Sequence, residues 1–217
     1  MLSITQPKKF EKVLGFLKRD QKVFLVGCGT CTTIQHTGGK TEVLAMKAKL
    51  EESGKQVTGW MVIPTACDPL VEDAVLEKAA EINASDAILA MPCSFGVQTV
   101  ALYTKKPVYP ALNTMFIGKE QSPGKFNEVC MQCGGCIIAN TAAICPIVRC
   151  AKSLFNGPCG GSVGGKCEVD PNTPCGWQQI IDRLTEQGRL DQLEEIMKLK
   201  DWNHSLWGGP RQITLEY

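Results

Sequence analysis

Residues 22–31 read KVFLVGCGTC. A short unbroken apolar run ends in glycine and then meets two cysteines, Cys28 and Cys31. A run of this length, bounded by polar residues and glycine, predicts a strand buried on both faces, as in a parallel sheet. The pattern repeats outward from it. Phe10, Val13, Leu14 and Leu17 follow helical spacing before it. After it, GGKTEVLAMKAKLEESGK (38–55) predicts a helix closed by Gly54 and VTGWMVIP (57–64) a strand. DPLVEDAVLEKAAEI (68–82) predicts a helix with Asp68 as N-cap and Pro69 at its first position. DAILAMP (86–92), SFGVQTVALYT (94–104) and KPVYPAL (106–112) then predict strand, helix and strand. This alternation indicates an α/β fold: a small parallel sheet with flanking helices.

That topology gives the upstream cysteines a shared address. Cys28 and Cys31 follow the first of these strands, Cys67 the second and Cys93 the third. In a parallel sheet all four lie at the carboxyl ends of the strands, where open α/β folds place ligands. Four thiolates from three loops could hold a [4Fe–4S] cluster there, beside helix N-termini that favour negative charge. Gly27, Gly29, Gly38, Gly39 and Gly96 would let backbone approach the inorganic sulfurs. The competing reading treats Cys67 and Cys93 as small buried hydrophobes. GCGTCT has Thr32 where a dinucleotide fingerprint needs its third glycine, and GGKT has Ile34 where a P-loop needs its first. Asp68 and Asp86 fit a helix cap and a strand-entry turn better than acid–base roles.

The chain divides near residue 125. Residues 1–125 form the α/β domain with the four-cysteine site, and residues 126–217 a cysteine-rich iron–sulfur domain with a C-terminal helix and tail. From Cys130 to Cys175 lie eight of the chain's 12 cysteines: Cys130, Cys133, Cys136, Cys145, Cys150, Cys159, Cys167 and Cys175. The segment is irregular, rich in Gly and Pro, and poor in large apolar residues, so a metal core is the obvious substitute. CxxCxxC followed by Cys145-Pro146 resembles a ferredoxin run, with a longer last gap. Eight thiols suffice for two four-cysteine sites, but spacing does not say which cysteine goes where. One cluster with one all-cysteine zinc site stays open. Residues 177–200 predict a helix with Ile180, Ile181, Leu184, Leu190, Leu193 and Met197 on its apolar side, kinked or broken at Gly188. Trp202 and Trp207 lie in a tail without a clear element, fitted either to anchor a partner or to pack on its own chain.

Composition narrows the chemistry. The 217 residues carry a net charge of +1 with no basic stripe, which argues against nucleic acid as the main partner. Two histidines, His36 and His204, leave mixed Cys/His zinc sites a minor theme. The first residues do not read as a secretory signal and no stretch approaches a membrane span. The expectation is a cytoplasmic protein, where thiols stay reduced and disulfides are disfavoured.

CMQCGGCIIANTAAICPIVRCAKSLFNGPCGGSVGGKCEV (130–169), followed by CGW (175–177), resembles the signature of the small iron–sulfur subunit of bacterial methylenetetrahydrofolate reductase, also described as the reductase's C-terminal domain family. NGPCGG (156–161) and GKCEV (165–169) are its most specific parts, and GCGTC (27–31) and PCSFGVQ (92–98) also resemble the family. The resemblance implies a subunit that accompanies a separate FMN-bearing catalytic subunit, which reduces methylenetetrahydrofolate in anaerobic one-carbon metabolism such as the reductive acetyl-CoA pathway. A further electron-donating subunit fits the same picture. The twelve cysteines allow three [4Fe–4S] clusters, with zinc at one C-terminal site as the alternative. The expected role is electron transfer to or from the flavin rather than catalysis, since the chain shows neither a phosphate-binding loop nor room for a barrel. Rival readings are a zinc-stabilised docking subunit without electron transfer, a thiol–disulfide reductase using Cys28 and Cys31, and, last, a corrinoid or folate binding protein.

Overall fold

In the computed structural model, which describes residues 1–214, the apolar run at residue 22 is the second strand of the chain. The first unit, Met1–Asn127, begins with β1 (Leu2–Pro7), α1 (Phe10–Phe16), β2 (Lys22–Cys28), α2 (Cys31–Ile34), α3 (Lys40–Glu52) and β3 (Gln56–Ile63). It continues with α4 (Val71–Glu77), α5 (Ala79–Asn83), β4 (Ala87–Ala90), α6 (Ser94–Leu102), β5 (Val108–Pro110), β6 (Leu112–Ser122) and β7 (Lys125–Glu128). Four strands form a sheet of order β3-β2-β4-β5 in which every neighbouring pair is parallel. Helices cover both faces. Phe24, Val26 and Cys28 pack into a core with Val71, Val75 and Val100 from α4 and α6. Val23 and Leu25 point the other way, into a core with Val13 and Leu50 from α1 and α3. Burial on both faces is why β2 reads as an apolar run rather than an alternation.

The apolar pattern does not reveal a second sheet, of order β1-β6-β7, in which β1 runs antiparallel to β6. The physical reason is polar burial. Ser3 and Thr5 of β1 are buried. Thr5 N–H donates to Gln35 Oε1 at 2.8 Å, and its hydroxyl meets that of Thr37 at 2.7 Å. Partners some thirty residues away satisfy the Thr5 groups and the Ser3 carbonyl, though not the Ser3 hydroxyl, so the strand carries buried polar residues in place of an apolar alternation. SPGK (122–125), with Gly124 at φ +75°, is the turn signal that could have exposed β6 and β7.

The helix predicted over 68–82 starts later and is split. Its first turn is at Val71 and it is interrupted at Lys78. Asp68 is not the N-cap: its carboxylate accepts from Leu70 N–H at 3.0 Å, closing a turn ahead of the helix. Pro69 disfavours helical backbone at the residue before it, which pushes the start downstream.

The second unit begins at Glu128. It contains α7 (Pro146–Arg149), α8 (Gly176–Glu186) and short 3-10 turns. Its apolar core is small: Trp177, Ile180 and Leu184 from α8, with Ile144, Leu154 and Leu193 packed against them. Trp177 Nε1 donates to Leu154 O at 2.9 Å. The predicted helix over 177–200 stops at Glu186. Gly188 sits at φ +64°, Arg189 N–H reaches back to Leu184 O and Gly188 N–H to Thr185 O. This is the Schellman stop that glycine permits. Leu190 and Leu193 lie in a 3-10 turn, Leu190–Glu194, and Met197 lies beyond it, outside any helix. Among the described residues, no helix is long and apolar enough to cross a membrane.

Candidate metal centres

The carboxyl ends of β3, β2 and β4 are stitched together by backbone. Gly29 N–H donates to Ile63 O at 2.8 Å, and Met91 N–H to Val26 O at 2.7 Å. Cys28 ends β2, Cys31 opens α2, Cys67 lies in the loop after β3, and Cys93 caps α6 after β4. Because the chain turns from β2 to β3 on one side and reaches β4 on the other, this edge is the sheet's switch point. Two glycines make the loops close-packed. A Cβ on Gly38 would strike Met91 O. One on Gly96 would stand 2.6 Å from Pro92 Cβ and 2.9 Å from Ala66 Cβ, so α6 starts directly against the loop that carries Cys67.

The Cys67 thiol feels the other three. Partial desolvation raises the Cys67 thiol above its usual range, and the Cys93, Cys28 and Cys31 thiols add to that. Thiols close enough to oppose each other's ionisation are a set that a cation can draw together as thiolates. Cys28 and Cys93 are buried, Cys31 is half-buried and Cys67 is exposed. Cys67 is therefore not the buried hydrophobe of the competing reading. Cys28, 5% exposed, is not the accessible thiol that a thiol–disulfide reductase needs. At the GGKT segment, the Glu42 carboxylate accepts Gly39 N–H at 2.9 Å, at the helix start where a phosphate would have to bind. Asp86 accepts from Lys22 and Gln21 N–H at 2.7 and 2.9 Å. These bonds hold its carboxyl below the usual range and fasten the entry to β2.

In the second unit the eight cysteines fall around two cavities. Cys130, Cys133, Cys136 and Cys145 line one of about 200 Å³, walled by Val129, Met131, Ile137, Ile138 and Ile147. Cys150, Cys159, Cys167 and Cys175 line the other, of about 20 Å³. Local backbone explains both groupings. Gln132, Gly134 and Gly135 have φ of +53°, +64° and +49°, which curls CxxCxxC into a tight loop. Gln132 N–H points at Cys130 Sγ, 3.4 Å away. Cys145 precedes Pro146, the first residue of α7.

The second set is gathered by a close helix contact and a hairpin. Cys150 ends α7 and Cys175 opens α8. Gly176 lets the two helix ends touch: a Cβ there would be 2.7 Å from the Arg149 carbonyl carbon. Val163 and Lys166 pair across Gly164 and Gly165, both at positive φ, as a two-residue hairpin turn demands. Cys175 N–H donates to Gly165 O and Cys167 N–H to Thr173 O, fixing both cysteines on this ribbon. Gly161 N–H points at Cys159 Sγ, 3.4 Å away.

All twelve cysteines are free thiols. Among the described residues, no three His, Cys, Asp or Glu side chains stand at the spacing of a single bound ion. The cysteine sets are defined instead by the cavities they line and by the sheet edge they share. Four thiols, apolar walls and about 200 Å³ fit a multi-atom cluster at the first C-terminal set. The smaller cavity is on the order of one water-sized body, which suits a single ion. The spacing of cysteines cannot predict this sorting, and sequence reasoning missed the residues around it: Gly176, Lys200 and Arg211. The glycine in CGW was the available signal for the first of these.

Residues 109–203 match the family model described as methylene-tetrahydrofolate reductase C terminal. No curated protein and no solved structure matches the chain. The matched segment carries both C-terminal cysteine sets and excludes Cys28, Cys31, Cys67 and Cys93. Over residues 109–203 the chain is similar to the methylene-tetrahydrofolate reductase C-terminal family, the one its cysteine signature resembles.

Proposed function

We propose that the chain is the iron–sulfur accessory subunit of a methylenetetrahydrofolate reductase complex, passing electrons to or from the FMN of a separate catalytic subunit. The observation that carries the reading is the sorting of twelve thiols into three sets of four, one at a sheet edge and two around cavities. The family match over residues 109–203 supports the assignment to that enzyme. When bound, [4Fe–4S] clusters supply one-electron transfer, and a flavin joins that to two-electron chemistry.

The chain's own part is positional. The sheet holds Cys28, Cys31, Cys67 and Cys93 at fixed strand ends. Ile137, Ile138 and Ile147 give the first C-terminal set an apolar wall, the kind of surrounding that tunes a group held there, while Cys130 and Cys136 stay exposed. N–H groups of Gln132 and Gly161 donate toward Cys130 and Cys159, the kind of hydrogen bond to sulfur that adjusts a cluster's potential. A second reading, zinc in the set of Cys150, Cys159, Cys167 and Cys175, is favoured by the small cavity there. That site would be structural, bracing the α7–α8 contact.

Anaerobic metal and sulfide analysis tests the proposal. Three clusters give about twelve iron and twelve sulfide per chain, and the zinc variant about eight iron with one zinc. Colourless, iron-free protein would end the redox reading. Co-purification with an FMN-containing subunit tests the assignment to the complex.

A further inference from the structure

The tail after α8 returns to the CxxCxxC loop and binds it through two cations. Lys200 Nζ donates to Gly135 O at 2.8 Å and also to Gly134 O. Arg211 Nη1 donates to Gln132 O at 2.8 Å and to His204 O at 2.6 Å. The loop is built to receive them. A Cβ on Gly134 would stand 2.7 Å from His204 Cβ and 2.8 Å from His204 O, so only glycine lets the tail come this close. Lys200 also lies over the Trp202 ring, 5.6 Å from its centre, and Trp202 meets Trp207 edge-on at 5.2 Å. Trp202 and Trp207 form a wall of a groove with Met131 and Ile147, two residues that also line the first C-terminal cavity.

Three loop carbonyls, of Gln132, Gly134 and Gly135, thus accept from cationic side chains. In the curled backbone at positive φ these carbonyls have no helix or strand partner, so the cations supply bonds that the loop cannot make within itself. Ionised donors make stronger hydrogen bonds than neutral ones. The same two groups bring positive charge to the loop that carries Cys130, Cys133 and Cys136. Four thiolates around an iron–sulfur core are net negative, and one-electron reduction adds to that charge. A nearby cation stabilises the reduced form more than the oxidised form.

We infer that Lys200 and Arg211 are positioning residues for the site of Cys130, Cys133, Cys136 and Cys145, pinning its loop and raising the reduction potential of the cluster held there. The inference rests on the cluster reading above for its electrostatic half, and on the loop geometry alone for its mechanical half.

The test compares Lys200→Met/Arg211→Met with Lys200→Arg/Arg211→Lys in the full chain. Three readouts are taken: iron content, potential by spectroscopically monitored reductive titration, and rate of proteolysis within residues 129–137 of the metal-free chain. The methionine pair should be cleaved faster, lose up to one cluster's iron (about four atoms) and titrate at lower potential in whatever cluster remains. The charge-conserving pair should restore all three. Wild-type iron, potential and cleavage in the methionine pair would overturn the inference. Faster cleavage with unchanged potential would overturn the electrostatic half. If the wild-type protein binds no iron, the cluster reading falls on its own, and the cleavage rates still decide whether the two cations pin the loop.

Discussion

Gly176→Ala adds one methyl group where two helix ends touch. An ideal Cβ at this position would be 2.7 Å from the carbonyl carbon and oxygen of Arg149 and 2.9 Å from its Cβ. Carbon contacts are comfortable at about 3.5–4.0 Å, so the intrusion on the carbonyl carbon is roughly 0.8 Å or more. The atoms struck are mostly backbone, at the last turn of α7, and no side-chain rotation relieves them. Overpacking of this kind costs about 1–3 kcal/mol. The relief available is for α7 and α8 to separate, and Cys150 and Cys175 sit at the two ends that would part. Trp177, next in sequence, is 1% exposed and bonded to Leu154 O, so the second unit's small core resists the shift. The expected result is a loss of stability of that size, with loss of metal from the set of Cys150, Cys159, Cys167 and Cys175 and retention at the other two. Gly188→Ala is the control. It forces a non-glycine residue to φ +64°, costing about 1–2 kcal/mol, but meets no atom within 4 Å. Denaturant unfolding and metal analysis of both variants read the outcome. Full metal content in Gly176→Ala, with a stability loss no greater than in Gly188→Ala, would refute the claim that this contact gathers the site.

Cys28→Ser and Cys93→Ser should each remove at most one cluster's iron, about four atoms, and the double variant no more than either alone; twice the loss would place the two cysteines in different sites. Metal removal should expose residues 126–176 to protease well before the α/β unit, because the second unit's core rests on three fully buried side chains while the sheet has a core on each face; equal resistance would contradict this. Asp86, held ionised by two N–H groups, contributes stability that is complete above its unfolded value and lost as pH falls through the depressed folded value. Asp86→Asn should therefore remove that part of the acid dependence, seen as a flatter unfolding curve at and below the ordinary Asp pKa of 3.8; an unchanged slope would show the bonds to be inconsequential.

How much of this was legible in the sequence depends on what each element is made of. The β3-β2-β4-β5 sheet was, because β2 and β4 are buried on both faces and apolar burial leaves a run in the sequence. The sheet edge followed from topology: cysteines just past parallel strands have one place to be. The β1-β6-β7 sheet was not, because Thr5 is held by Gln35 and Thr37, and such pairings leave no periodicity. The end of α8 was half legible. Gly188 marked a break, but the apolar residues beyond it looked like a continuing face, and only the backbone shows Leu193 reaching the core from a 3-10 turn.

The sorting of the eight downstream cysteines was illegible for a different reason. In the first unit the sheet has its own core, so the thiols are placed by a scaffold that other residues stabilise. In the second, Cys150 and Cys175 pack directly against Trp177 and its neighbours. There the cysteine set and the core share atoms, and what separates one set from the other is contact rather than spacing. Gly176 admits Arg149, Gly134 admits His204, and Gly164 with Gly165 turns the ribbon that carries Cys167 and Cys175. Each is a glycine whose missing side chain defines a distance between segments far apart in the chain, which a one-dimensional pattern does not encode. It follows that substitutions at these glycines, which touch no metal, should disturb one site at a time, whereas substitutions in the β2 core should lower the stability of the whole sheet edge together. Phe24→Ala is the sharpest case. Phe24 is fully buried on the face that holds Cys28, and its truncation should cost about 3–5 kcal/mol. The edge cysteines would then be lost by unfolding of their scaffold rather than by a local shift.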